Sequence, residues 1–300
     1  MNRNNYPGQG LRLDSLTSIY KFHTIVDVLR LDLVHPIISG NKWFKLIQYL
    51  NDAISQHRSS IVTFGGAYSN HIVATAAACQ LFGIKSYGVI RGEKPSQLSP
   101  TLVDAINFGM ELLFIERSAY KEKKLPLELL ENKENLYVIN EGGYGEKGAE
   151  GIKEMLESIS PKKYSSIVTA VGTGTTLAGI INATSSDQKC IGVSVMKNNT
   201  SLHAEINALV KSDRKDDFKL YHEYHFGGYA KYNQELIDFM NEFYRKTSIA
   251  LDFVYTGKVF YALNDLIEKE KIGKNEKILI IHTGGLQGNR SLANGTLIFS

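Results

Sequence analysis

The hydrophobic positions of this chain fall into two patterns that alternate along its length. Residues 24–33 alternate between apolar and polar side chains, as a half-buried strand does, whereas residues 60–64 form the continuous apolar run of a fully buried strand. Residues 42–54, between them, place apolar side chains at helical spacing. Further strands are expected at 85–92, 111–116, 135–140, 166–171, 190–196 and 277–283, and helices at 69–82, 99–109, 152–159, 233–246 and 258–270. Strands separated by helices of this length predict βαβ units and mostly parallel sheets.

A glycine-dense stretch, EGGYGEKGAEG at 141–151, separates two series of these units. Clusters of glycine between periodic segments are typical of loops and crossings. A chain of 300 residues is also long enough to form two lobes. We therefore expect a boundary between two lobes in this stretch.

The composition is that of an ordinary globular protein and argues against several classes of function. The chain is 43% hydrophobic and 22% charged, and its net charge of +3 is too small to indicate nucleic-acid binding. No apolar run reaches the roughly 18 residues of a membrane helix, and the first ten residues lack the apolar core of a signal peptide. Cys79 and Cys190 lack the spacing of a metal or redox site. We expect a cytoplasmic protein without a metal, membrane or nucleic-acid partner.

The most informative loop is VTAVGTGTTLAG, at 168–179. Gly172 and Gly174 follow a buried strand and allow close approach of a ligand, and three threonines supply hydroxyls where the next helix begins. Backbone N–H groups at such a helix start attract anions, above all phosphate. A dinucleotide fingerprint would require glycine where Leu177 stands, and the Gly-Lys-Ser/Thr of a Walker loop is absent. A phosphate site and an ordinary capped turn both stay open as interpretations.

Two similar turns accompany this loop. TFGGAYSNH, at 63–71, places Ser69 and Asn70 at a helix start, where both residue types commonly cap helices. IIHTGGLQGN, at 280–289, places Thr283 at the end of a buried strand. Because open α/β sheets bind ligands at the carboxyl ends of their strands, these turns are expected to form one polar cleft.

Taken together, these segments resemble the pyridoxal-phosphate (PLP) enzymes of the tryptophan-synthase-β fold. Within that group, they resemble the family of 1-aminocyclopropane-1-carboxylate deaminase and D-cysteine desulfhydrase. The resemblance is carried, in family order, by SGNKWFKL, FGGAYSNH, EGG, VGTGTTLAG, VYTGK and IHTGG. It covers about residues 24 to 290 and implies an α/β fold of type II, with two three-layer αβα lobes. The large cofactor-binding domain would comprise residues 1–45 and 150–300 and the small domain residues 46–149, with the active site between them.

The resemblance also assigns roles to individual residues. Lys42, directly after Gly-Asn, matches the lysine that forms a Schiff base with PLP, a role that suits an amine whose pKa falls on partial burial. Lys45 would assist at the cofactor phosphate or be an ordinary solvated lysine. The full cofactor set is Lys42, Lys45, Asn70, Gly172, Thr173, Gly174, Thr175, Thr176 and Thr283. The catalytic set is Lys42, Ser69, Tyr229 and Tyr255, and the substrate set is Ser69, Asn70 and His71, of which His71 has a structural alternative.

The implied activity is deamination or β-elimination of a small amino acid. Family members that are deaminases carry glutamate where Thr256 stands and leucine where Thr283 stands. A threonine hydroxyl beside the cofactor ring would leave its nitrogen neutral, which favours D-cysteine desulfhydrase chemistry over 1-aminocyclopropane-1-carboxylate deamination. Ile72 and Val73 stand where the family often has arginine, and this departure weakens the assignment. The alternative of another class is a PLP-binding carrier or sensor with little catalysis, and a homodimer is expected from the family alone.

Overall fold

The computed structural model describes residues 10–20, 24–131, 133–272 and 275–299 and contains two separate β-sheets. Ten strands occur in this part of the chain: β1 (Leu13–Ser15), β2 (Ile25–Arg30), β3 (Ser60–Gly65), β4 (Lys85–Arg91), β5 (Met110–Ile115), β6 (Leu136–Ile139), β7 (Ser166–Val171), β8 (Lys189–Ser194), β9 (Lys219–Tyr221) and β10 (Lys277–His282). The α-helices are α1 (Asn41–Ser55), α2 (Asn70–Phe82), α3 (Pro100–Asn107), α4 (Arg117–Lys121), α5 (Leu127–Leu130), α6 (Glu146–Glu157), α7 (Thr175–Ala183), α8 (Leu202–Asn207), α9 (Gln234–Thr247) and α10 (Thr256–Glu268).

The larger sheet has the strand order β1-β2-β10-β7-β8-β9. Only the pairing of β1 with β2 is antiparallel. Its central strands are apolar on both faces because helices cover both sides, as is usual for parallel sheets. Ile167 and Leu279 face a core that includes residues of α1, α6 and α7, whereas Val168 and Ile280 face a core that includes residues of α9 and α10.

The smaller sheet is wholly parallel, in the order β5-β4-β3-β6. Val62 and Phe64 of β3 pack with residues of α4 and α5, whereas Ile90 of β4 packs with residues of α2 and α3 on the other face. Both sheets are therefore the middle layer of three, and the expected two-sheet α/β architecture is confirmed. The expected strands are all present, and the short strands β1 and β9 at the two edges of the larger sheet are additional. No helix in the described parts of the chain is long and apolar enough to cross a bilayer.

The glycine-dense stretch forms a helix for most of its length. We expected a helix at 152–159, but α6 begins at Glu146. Its glycines allow close helix packing: a Cβ at Gly151 would overlap the carbonyl oxygen of Phe44 in α1. Glycine in a sequence usually predicts the end of a helix, whereas here its small size lets the backbones of α6 and α1 touch. The proposed domain boundaries fall inside α1 and α6, and the division into 1–45 plus 150–300 and 46–149 stays a prediction.

A second backbone contact fixes the start of α1 against the end of β10. Gly40 has a φ of +72° and Gly284 a φ of +75°, both in the left-handed region. A Cβ on Gly40 would overlap the carbonyl oxygen of Thr283, and one on Gly284 would lie 2.7 Å from the Cα of Gly40. The N–H of Asn41 donates to the carbonyl oxygen of Thr283 at 3.2 Å. The turn after β10 therefore determines where α1 begins.

We predict that Gly40→Ala lowers the free energy of unfolding by more than about 3 kcal/mol, because the new methyl group meets both an unfavourable φ and a fixed carbonyl. Gly83→Ala is the matched control, since Gly83 has a φ of +65° but open space around its Cβ position. It should cost only about 1 kcal/mol. Urea denaturation measures both, and equal losses would show that the contact with Thr283 contributes nothing.

Candidate active site

A cavity of about 880 Å³ opens between the two sheets, at the carboxyl ends of their strands. The turns after β3, β7 and β10 form much of its wall, and the first turn of α1 projects into it. Parallel α/β sheets present ligand sites at this edge because their connecting loops converge there. The cavity thus brings together the three turns that the sequence singled out.

Lys42 lies in the first turn of α1 and lines the cavity. Burial lowers the pKa of its amine to about 8, although the buried carboxylate of Asp252 opposes the shift. About a tenth of the amine is then neutral at pH 7, against less than a thousandth for a free lysine. The Nζ donates to Oδ1 of Asn41 at 3.1 Å, and Nδ2 of Asn41 donates to Oγ1 of Thr176 at 2.8 Å. Asn41, which we did not assign a role from sequence, links the lysine to the loop after β7.

Lys45 is only 3% exposed, so its interpretation as a solvated lysine is wrong. Burial and the nearby charge of Lys42 hold its pKa well below that of a free lysine. Its Nζ lies 3.4 Å from the carbonyl oxygen of Gly142, and neither lysine makes an ion pair with any residue in the described ranges. Two buried amines therefore line one cavity without an ion-pair partner among the described residues, which is a setting for an anion.

The loop after β7 provides a site of suitable shape for that anion. Gly172, Thr173, Gly174 and Thr176 line the cavity, and Gly174 has a φ of +84° as α7 begins. The side chain of Thr175 is buried and does not line the cavity; its hydroxyl lies 3.3 Å from that of Thr173. Open backbone at a helix start, close to two lysines, suits a phosphate group.

The turn after β3 contains both a helix cap and an unsatisfied acceptor. Ser69 caps α2 by accepting from the N–H of Ile72 at 3.4 Å, and it also lines the cavity. Asn70 donates through Nδ2 to the carbonyl oxygen of Gly285 at 3.3 Å. Its Oδ1 is buried without a hydrogen-bond partner in the part of the chain that the structure describes. A buried acceptor with no donor is costly, so this atom suits a ligand that presents a hydroxyl or an N–H group.

His71 is fixed as one neutral tautomer by its neighbours. Oγ1 of Thr63 donates its single proton to the carbonyl oxygen of Ile139 at 2.8 Å, so it must accept from Nε2 of His71, which lies 2.8 Å away. Nδ1 then carries only a lone pair, and none of the described residues donates to it. Burial, with smaller contributions from Lys42 and Lys45, holds the pKa of His71 well below its usual range. The imidazole is therefore an acceptor in the wall of the cavity and not a cation.

Two tyrosines also line the cavity, next to the loop after β7. The rings of Tyr229 and Tyr255 meet edge to face, with centroids 5.9 Å apart. Burial raises the pKa of Tyr255 well above 10, so its phenol stays protonated. Thr283 also lines the cavity, but Thr256 does not: its hydroxyl donates to Oδ1 of Asp252 at 2.7 Å. Only one of the two threonines that we used to choose a substrate is therefore placed to contact a ligand.

Asp252 is the second residue that sequence reasoning missed. It is 0% exposed, and its carboxylate accepts from the N–H groups of Val254, Tyr255 and Thr256 at 2.8–2.9 Å. Burial raises its pKa, whereas the hydrogen bonds from Thr256 lower it. Its hydrogen bonds to Val254, Tyr255 and Thr256 are local in sequence, but its proximity to Lys42 depends on tertiary folding.

The arrangement fits pyridoxal phosphate on three structural observations. Two buried lysines lack a counter-charge, a glycine turn at a helix start faces them, and Asn70 has an unsatisfied acceptor in the same wall. The two lysines would serve the aldehyde and the phosphate of PLP. The glycine turn would also bind the phosphate, and the acceptor of Asn70 would bind the ring hydroxyl. Comparison with known proteins agrees: the sequence profile described as "Pyridoxal-phosphate dependent enzyme" matches residues 15–284.

The chain belongs to the pyridoxal-phosphate-dependent enzymes. Among its relatives, a putative 1-aminocyclopropane-1-carboxylate deaminase of Pyrococcus horikoshii is 31% identical, over 88% of this chain and 85% of the relative. A bifunctional D-cysteine desulfhydrase/1-aminocyclopropane-1-carboxylate deaminase of Arabidopsis thaliana is 30% identical, over 87% and 72%. The crystal structure of an ACC deaminase homologue superposes with a TM-score of 0.82 at 30% identity, covering 95% of this chain and 94% of the homologue. The expected family, its cofactor and its fold are therefore confirmed.

We predict that Lys45→Met stabilises the cofactor-free PLP enzyme by about 1–2 kcal/mol, because it removes a buried ammonium that lies beside another. The same change should weaken binding of PLP, since a cation near the phosphate is lost. Because the pKa of Lys45 is lower in the folded state than in the unfolded state, the loss of folding stability that it causes in the wild type is complete below the folded-state pKa. This loss disappears as the pH rises towards about 10.4, the pKa of a free lysine. The difference in stability between the variant and the wild type should therefore shrink over that interval.

Thermal unfolding of the cofactor-free proteins and titration with PLP measure these effects. Lys162→Met, at an exposed lysine, is the control and should change stability by less than about 0.5 kcal/mol. A variant at position 45 that is less stable than wild type, yet binds PLP normally, would contradict the assignment of Lys45 to the phosphate.

Proposed function

We propose that the enzyme catalyses PLP-dependent β-elimination and deamination of a small amino acid, with D-cysteine as the first candidate. D-cysteine and water would give pyruvate, hydrogen sulfide and ammonia. The observation that supports it is one cavity lined by Lys42, whose pKa is lowered, by the paired rings of Tyr229 and Tyr255, and by the glycine turn after β7. The names of relatives at 26–31% identity support this chemistry without separating their substrates.

Pyridoxal phosphate, when bound, withdraws electrons from the α carbon of an amino acid and so makes its proton removable. The protein supplies the groups that bind and move protons. Lys42 is the base, because an amine with a pKa of about 8 can both accept the α proton and return it near neutral pH. Ser69 and the start of α2, a helix of 13 residues, are suited to bind the substrate carboxylate through backbone N–H groups.

The tyrosines are proposed to handle the leaving group. Because burial keeps the phenol of Tyr255 protonated, it can donate a hydrogen bond or a proton to a departing sulfur. His71 cannot take this role, since its unpartnered Nδ1 carries no proton. It is suited instead to accept from the substrate, through an ammonium, hydroxyl or thiol group.

The choice between D-cysteine and 1-aminocyclopropane-1-carboxylate now depends on Thr283. It places a neutral hydroxyl in the cavity wall, and a neutral donor or acceptor does not protonate a pyridine nitrogen as a carboxylate does. This favours the milder elimination over ring opening. The second candidate, 1-aminocyclopropane-1-carboxylate, is nevertheless supported by the relative that is 31% identical, because that relative is named as a putative deaminase of this compound.

The deciding experiment is a substrate panel on PLP-saturated enzyme: D-cysteine, L-cysteine, D-serine and 1-aminocyclopropane-1-carboxylate. We expect pyruvate and sulfide from D-cysteine and little 2-oxobutanoate from the cyclic substrate. Lys42→Ala should lose both the yellow absorbance of the covalently bound cofactor and at least about 10³-fold in kcat. Faster turnover of the cyclic compound than of D-cysteine would replace the first candidate by the second.

We also predict that Tyr255→Phe lowers kcat by about 10²-fold while leaving the PLP content of the purified enzyme near wild type, because only a proton donor is removed. Tyr232→Phe is the matched control: Tyr232 is exposed, packs on Phe253 and lies outside the cavity lining. It should retain wild-type kcat. Parallel loss of activity and cofactor in Tyr255→Phe would mean that the hydroxyl is needed to bind PLP, and would contradict its assignment as a proton donor.

A further inference from the structure

A fully buried lysine lies behind the tyrosine wall of the cavity. Lys258, in the first turn of α10, is 0% exposed and does not line the cavity. Its Nζ donates to the carbonyl oxygen of His225 at 2.9 Å and to that of Gly228 at 2.7 Å. Lysine is almost never fully buried unless its charge is used. The described residues give this ammonium two backbone acceptors, and both belong to the segment that carries Tyr229.

That segment has an unfavourable backbone conformation. Phe226 and Ala230 have φ values of +50° and +52°, and Gly227 and Gly228 lie between them at +94° and +122°. Side-chain-bearing residues rarely adopt such values, and they persist only where the surroundings impose them. Phe226 anchors the start of the segment by packing edge to face on Tyr261, whereas Tyr229, further along, is 43% exposed. Hydrogen bonds from a charged donor are the strong ties that such a segment requires.

Asp252 performs the corresponding role for the other tyrosine. Its carboxylate accepts from the N–H of Tyr255 at 2.9 Å and from both the N–H and the hydroxyl of Thr256 at 2.8 and 2.7 Å. These bonds occupy its lone pairs and require the ionised form. The carboxylate opposes the lowering of the Lys258 pKa, so the two buried charges stabilise each other.

We propose that Lys258 and Asp252 are positioning residues that hold Tyr229 and Tyr255 against each other in the cavity wall. Lys258 fixes the backbone around Tyr229, and Asp252 fixes the start of α10 at Tyr255. Neither touches the reacting atoms. The proposal rests on the proposed function only because it gives the two phenols a role in turnover. The effect of Lys258 on the backbone of residues 225–231 does not depend on the proposed function.

The test uses Lys258→Met in the PLP-loaded enzyme, because methionine fills similar volume without charge or donor. Hydrogen exchange of the peptide spanning 225–231 should become at least about 10-fold faster, while exchange in β7 and β10 stays unchanged. With D-cysteine, kcat should fall at least about 10-fold and KM should change by less than about 3-fold. Leu263→Ala, at a buried site on the same helix, is the control for general loss of stability. It should alter neither the exchange of this peptide nor kcat by more than about 2-fold.

A double-mutant cycle separates positioning of Tyr229 from a structural effect elsewhere. In a Tyr229→Phe background, adding Lys258→Met should reduce kcat by no more than about 2-fold further, because the phenol that the lysine positions is already absent. Independent, multiplicative losses would overturn the proposal. So would unchanged exchange of the 225–231 peptide in Lys258→Met.

Two outcomes outside this scheme are also decisive. If the wild-type enzyme turns over no substrate of the panel, the proposed function fails, and the exchange measurement alone decides the role of Lys258. If Lys258→Met does not fold, Lys258→Gln, which keeps an N–H donor, is used with the same readouts. Should neither fold, the amides of Gly228 and Lys231 in the wild type must be protected as strongly as neighbouring core amides; exchange at the rate of an unfolded chain would refute the proposal.

Discussion

The active site depends on one electrostatic constraint: two lysines, three residues apart on α1, face a cavity in which neither has an ionic partner among the described residues. Burying one ammonium is costly, and a second beside it adds repulsion. Nearby carboxylates relieve this only in part: Glu141 in the cavity wall is paired with Lys123, and the buried carboxylate of Asp252, which accepts from backbone and hydroxyl donors, offsets part of the lowering of the Lys42 pKa. The phosphate and aldehyde of PLP would supply what is missing, an anion for one lysine and a covalent partner for the other. Binding of the cofactor would then relieve a cost that the folded protein otherwise carries.

Close backbone packing makes this arrangement possible. Gly40 and Gly284 touch without side chains, and Gly151 lets α6 approach α1 in the same way. The helix that bears both lysines is thereby held from two sides, by the turn after β10 and by a neighbouring helix. A lysine that must meet a bound aldehyde needs this kind of restraint, because errors of about 1 Å in the position of a reacting group cost much of its rate.

The sheets, and the cavity that joins Lys42 to the loop after β7, could be predicted from the sequence because each has a local signature, whereas the roles of these residues toward PLP stay predictions. Buried strands are apolar runs, and a lysine after a glycine turn at a helix start is visible in nine residues. The burial of Lys45, the link from Asn41 to Thr176 and the position of Asp252 near Lys42 were not predictable, since each depends on segments more than 90 residues apart. Thr256 illustrates the opposite error. Its neighbour Tyr255 reaches the cavity, but one step along a helix turns a side chain by about 100°, and Thr256 bonds Asp252 instead.

The hydrogen-bond relay behind His71 has a consequence for how the site can vary. The hydroxyl of Thr63 on β3 donates its only hydrogen bond to the carbonyl oxygen of Ile139 on β6. It can therefore accept a hydrogen bond from the imidazole of His71 but cannot donate one to it. Valine at position 63 would fill the same space and leave an N–H group without a partner in the interior. Serine would preserve the relay. Positions 63 and 71 should therefore change together among related proteins. An alignment would then show, through the residue at position 63, which nitrogen of His71 carries the proton.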